Sequence, residues 1–90
     1  MIVYLWSAYG AGCHAIGISD SYDRARDAAG ACVASGRADG ARVEQALTTV
    51  DARTLIDGYV RTGEGWQARR GEHGAVRWQP LRVGASTRAL

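Results

Sequence analysis

Apolar positions at the start of the chain alternate rather than recur at helical spacing. Ile2, Tyr4 and Trp6 fall on one side of an extended backbone and Val3, Leu5 and Tyr9 on the other, the pattern of a central strand covered on both faces. Gly10-Ala11-Gly12 is turn chemistry, and the segment from Cys13 to Ser19 carries Ile16 and Ile18, so residues 2–19 predict a β-hairpin. Ser19-Asp20-Ser21 then offers consecutive N-cap candidates, with Asp23 placed to complement a helix dipole. Ala25, Ala28, Ala29, Cys32 and Val33 follow at i, i+3, i+4, i+7 and i+8, while Asp23, Arg24, Arg26 and Asp27 occupy the other side. This predicts an amphipathic helix ending near Ser35, where Gly36 can take the left-handed conformation that closes a helix. Its buried stripe of Ala and Cys permits close approach to a sheet.

After a loop at 37–41, residues 42–50 fit either period. Val43, Ala46, Leu47 and Val50 suit a helix, whereas the β-branched Val43, Thr48, Thr49 and Val50 favour a strand, which a hairpin and helix need to extend the sheet. Residues 51–58 read as a connection. Trp66 to Arg70 and Ala75 to Gln79 alternate around Gly71-Glu72-His73-Gly74, predicting a second hairpin with Trp66, Ala68, Val76 and Trp78 on one face and polar residues on the other. Pro80 is expected to end it, and 84–90 to form a loose tail. The expected fold is therefore α+β, a mainly antiparallel sheet in the order β-β-α-β-β-β with one principal helix packed on it, forming a single domain over 1–83.

Composition agrees with a folded chain: 47% of the 90 residues are hydrophobic and 22% charged. All the basic residues are Arg, Lys and Phe are absent, and Ala and Gly abound, as codon usage in a G+C-rich genome produces. The N-terminal apolar run lacks a basic segment and a cleavage site, no stretch reaches the roughly 18 apolar residues of a membrane span, and Cys13 and Cys32 are too few for a disulfide framework. A cytoplasmic protein with reduced thiols is the expectation.

Charge changes this picture more than composition does. Residues 1–58 hold five Arg against seven acids, and residues 59–90 six Arg against two. Arg61, Arg69, Arg70, Arg77 and Arg82 are interleaved with Tyr59, Trp66 and Trp78, a mixture of guanidinium and aromatic planes suited to phosphate contact and base stacking. Equally, the tryptophans can be the core side of the hairpin and the arginines its solvated side. Cys13, His14, Cys32 and His73 show no metal-ligand spacing, and adjacent Cys13 and His14 point to opposite faces of a strand, so neither a metal site, a cofactor nor a nucleophile is assigned.

Ile2-Val3-Tyr4, Ala15-Ile16-Gly17-Ile18-Ser19 and Arg24 resemble, in order and spacing, the opening of the GIY-YIG nuclease family. That resemblance implies phosphodiester cleavage with Tyr4 and Arg24 at the scissile phosphate and Glu44 or Glu64 holding a divalent metal; Ile2 replaces the first motif glycine and Ala15 the second tyrosine. Residues 17–29, 42–44, 53–55, 59–70 and 76–80 (Gly-Ile-Ser-Asp-Ser through Val-Arg-Trp-Gln-Pro) are similar to a group of small proteins of Streptomyces and related actinobacteria, which implies a source and a cytoplasmic location but no activity. The first hairpin and helix also resemble the arm-binding domains of phage-type integrases. The leading reading is a small non-enzymatic nucleic-acid-binding or regulatory module that meets DNA or RNA through Arg61, Trp66, Arg69, Arg70, Arg77, Trp78 and Arg82. Its alternative is a homodimeric protein-interaction domain, and a GIY-YIG-like nuclease comes third.

Overall fold

The computed structural model describes residues 1–48 and 59–82, so the expected connection at 51–58 and the tail at 84–90 lie outside the described residues. Strands β1 (Ile2–Gly10) and β2 (Cys13–Ser19) form the first hairpin, followed by α1 (Tyr22–Ala34), β3 (Gly40–Thr48), β4 (Tyr59–Arg70) and β5 (Val76–Arg82). All neighbours are antiparallel, and the sheet order is β2-β1-β3-β4-β5. The fold class and element order expected from the sequence are those of the structure. Among the described residues, no helix is long and apolar enough to cross a membrane.

The helix obeys its sequence signals. The Ser21 side chain accepts a hydrogen bond from the Arg24 backbone N–H at 3.3 Å, capping the first turn. At the other end Gly36 adopts φ +81°, and its N–H donates to the Val33 carbonyl. Ala25, Ala29 and Val33 are fully buried against Ala8, Ala41, Val43 and Ala68 of the sheet. Small side chains on both surfaces let helix and sheet approach closely, and larger residues fill the flanks. On one flank Tyr22 packs against Tyr4 and Trp66, with ring centroids 5.7 and 4.6 Å away. On the other, the Arg26 guanidinium lies over the Trp78 ring at 5.5 Å.

Three boundaries differ from those expected. The third strand starts two residues earlier, at Gly40 rather than Arg42, because Gly40 and Ala41 pair with Tyr9 and Ala8 of β1. The fourth strand begins at Tyr59 rather than Trp66, since the irregularity between Glu44 and Ala46 absorbs Thr62, Gly63 and Glu64 and allows pairing to resume at Arg61. Pro80 lies within β5 instead of ending it. Gly71 N–H donates to the Ala75 carbonyl, so alternation makes Trp66↔Pro80 a non-hydrogen-bonded pair and turns the missing Pro80 donor outward on an edge strand.

Candidate nucleic-acid interface

The register sorts the residues of each strand onto two faces. Toward α1 lie Tyr4, Trp6 and Ala8 of β1, Ala41 and Val43 of β3, Trp66 and Ala68 of β4, and Val76 and Trp78 of β5. The face turned away from α1 is built from cross-strand rows. One row runs His14, Tyr9, Gly40, Arg69, Arg77; the next runs Ile16, Ser7, Arg42, Gln67, Gln79; a third runs Ile18, Leu5, Glu44, Gly65, Leu81. Arg61 follows beside Ala46. This face therefore carries four arginines and one glutamate among the described side chains.

The arginines singled out in the sequence separate into distinct roles. Arg69 and Arg77 are directly opposite one another and exposed, so the second hairpin does present two guanidinium groups on one surface. Arg61 is held elsewhere: its Nε donates to Glu44 Oε2 at 2.6 Å, and Arg42 Nη1 approaches Glu44 Oε1 at 3.6 Å. The Glu44 side chain is only 11% exposed, so Arg61 chiefly compensates a carboxylate set into the sheet. Arg70 belongs to the other face altogether. Its Nη2 donates to the Val33 and Ala38 carbonyls at 3.3 and 2.9 Å, satisfying backbone acceptors at and just beyond the C-terminal end of α1. The Arg82 backbone ends β5, and its side chain lies outside those described.

Trp66 and Trp78 are half-buried on the helix side, packed into the core cluster. Strand alternation places them on the face opposite Arg69 and Arg77, so the expected interleaving along the chain becomes a separation through the sheet. In their place the arginine face has Tyr9, which the alternation of β1 assigns to a covered strand. Tyr9 is 39% exposed, and a Cβ on Gly40 would come within 2.9 Å of its Cε1. Glycine at 40 is what lets this ring lie across β3 toward Arg69.

Arg42 is a second residue of this face that the sequence does not single out. Its signal is opposite parity to Ala41 and Val43 in a segment that reads equally well as helix, which hides facing until the strand is paired. The residues of the nuclease resemblance divide too: Tyr4 packs with Tyr22 and Trp66, Arg24 is exposed on α1, and Glu44 is on the far face of the sheet. Among the described residues no group of His, Cys, Asp and Glu has the arrangement of a metal site. Cys32 is a half-buried free thiol on the helix.

No family model, curated protein or solved structure matches this chain.

Arg70→Met keeps the aliphatic stem but leaves the Val33 and Ala38 carbonyls without this donor, at an expected cost of about 1–2 kcal/mol. Urea denaturation of the variant should show a lower midpoint with unchanged slope, whereas Arg69→Met, on the opposite face from these carbonyls, should stay within about 0.5 kcal/mol of the parent.

Proposed function

We propose that this protein is a small non-enzymatic nucleic-acid-binding module that meets the sugar-phosphate backbone with the sheet face turned away from α1. Arg69 and Arg77 are the principal phosphate contacts, Arg42 a third, and Tyr9 supplies an aromatic surface at the end of the same row. The observation that carries this reading is the direct pairing of Arg69 with Arg77, both exposed, beside the adjacent row that holds Arg42, Gln67 and Gln79. Two guanidinium groups brought side by side repel one another, and a polyanion relieves that repulsion while releasing condensed counterions. Gln67 and Gln79 add neutral donors to the same surface. The basic edge also has acidic neighbours, Asp39 beside Tyr9 and Arg69 and Glu72 beside Arg77, which favours modest affinity.

Fluorescence anisotropy with labelled duplex DNA, single-stranded DNA and RNA, repeated across salt concentrations, tests the proposal. Binding in the micromolar range is expected, with log K falling against log salt at a slope of about −2 to −3, corresponding to roughly three phosphate contacts. Absence of binding to all three polymers at about 50 mM salt would remove it.

A further inference from the structure

The two edges of the sheet differ in a way that selects a partner for one of them. Tyr9 O accepts from Asp39 N at 2.8 Å and Met1 O from Thr48 N at 2.9 Å, so odd-numbered residues of β1 direct their backbone groups toward β3. Even-numbered residues of β1 consequently bond to β2, occupying Ser19, Gly17, Ala15 and Cys13. The N–H and C=O groups of His14, Ile16 and Ile18 point outward along an edge that no strand pairs among the described residues.

Edges of this kind are normally blunted by charge, proline or a bulge. β5 follows that rule, with Arg77, Pro80 and Arg82 in its seven residues. β2 does not: it contains neither Asp, Glu, Lys, Arg nor Pro, and its pairing with β1 is unbroken from Cys13 to Ser19. Ile16 and Ile18 are 72% and 49% exposed on the face away from α1. Their neighbours Ala15 and Gly17, toward α1, are too small to obstruct an approaching strand.

We infer that β2 pairs antiparallel with β2 of a second copy of this chain, about a two-fold axis at Ile16. This register is self-complementary. Ile16 faces its own equivalent, His14 faces Ile18 and Ile18 faces His14, each in a hydrogen-bonding position that uses all the outward backbone groups. The isoleucines of both copies then form one apolar cluster, and no like charges are placed opposite one another. A seven-residue strand provides an edge about 23 Å long, above the usual strand length, so the shared ladder is complete rather than confined to one pair. Pairing through β5 in the equivalent register, about Gln79, would instead crowd Arg77 and Arg82 of both copies along one short ladder and lose a donor at Pro80.

Strand twist of about 20–25° per step turns the two Arg69–Arg77 clusters, eight steps apart, to face roughly opposite directions. Dimer formation and polyanion binding are therefore separable.

Size-exclusion chromatography with light scattering, without nucleic acid, reads the outcome directly. At about 0.3 mM the parent chain is expected near twice its 9.6 kDa monomer mass. Ile16→Lys, which sets two ammonium groups against each other at the axis on an exposed position, should return it to monomer mass with an unchanged far-UV circular dichroism spectrum. Gln79→Lys on β5 should leave the dimer intact. Ile16→Cys in a background with Cys13→Ser and Cys32→Ser should crosslink to a covalent dimer on mild oxidation, since hydrogen-bonded pairs place Cα atoms about 5.5 Å apart, within disulfide reach. A parent that is monomeric at this concentration, or an Ile16→Lys variant that still dimerises, would overturn the inference.

Discussion

Replacing Arg69 and Arg77 together by alanine is expected to weaken nucleic-acid binding by a factor of roughly 30 to 100 at low salt, about tenfold for each guanidinium removed from the phosphate backbone. The salt slope should become shallower by about 2, because two fewer counterions are released on binding. Both effects should be nearly the same for different DNA sequences, since groups that touch only the backbone position a protein without reading bases. The comparison that gives this result meaning is with arginines already engaged elsewhere. Arg70→Met removes the same formal charge from the adjacent position in β4, but that guanidinium is bound to the Val33 and Ala38 carbonyls on the opposite face. Its effect on binding should be under threefold. Equal losses from Arg70 and from Arg69 would mean that overall charge, and not the arginine row, governs association.

Ala29→Leu is expected to be the most damaging single substitution in the helix. Ala29 is fully buried, facing a sheet surface whose central positions Ala8, Ala41 and Ala68 are also fully buried. Added carbons have no space to enter there without pushing α1 off the sheet, and overpacking of this kind costs about 3 kcal/mol. For a domain of this size each kcal/mol moves the melting midpoint by about 4–8 °C, so a fall of roughly 12–24 °C is expected by calorimetry or circular dichroism. Ala31→Leu, at an exposed helix position, should move it by less than about 4 °C. If the two substitutions were equally tolerated, the close Ala-to-Ala packing would not be what holds helix to sheet.

The alanine stripe is readable in the chain because helical periodicity is local: residues three and four apart share a face whatever the helix packs against. The Ser21 cap and the Gly36 stop are readable for the same reason, since each acts within a turn of its own position. Strand faces within each hairpin are also accessible, and alternation alone correctly separates Trp66 and Trp78 from Arg69 and Arg77.

What a single hairpin cannot reveal is which residues from distant strands line up beside it. Arg42 lies 27 positions before Arg69, and Tyr9 lies 60 positions before it; they join the same surface only because β3 is inserted between β1 and β4. The fates of Arg61 and Arg70 are hidden likewise, since identical side chains acquire opposite roles from a carboxylate on β3 and from carbonyls around the end of α1. The chain alone determined an α+β domain with an amphipathic helix, alternating strands and a basic C-terminal hairpin, because propensity, capping and periodicity act over a few residues. Tertiary structure alone decided which guanidinium groups are committed to internal partners, which stand together on the sheet, and which strands form its edges among the described residues, because each depends on strand order and register across long sequence separations.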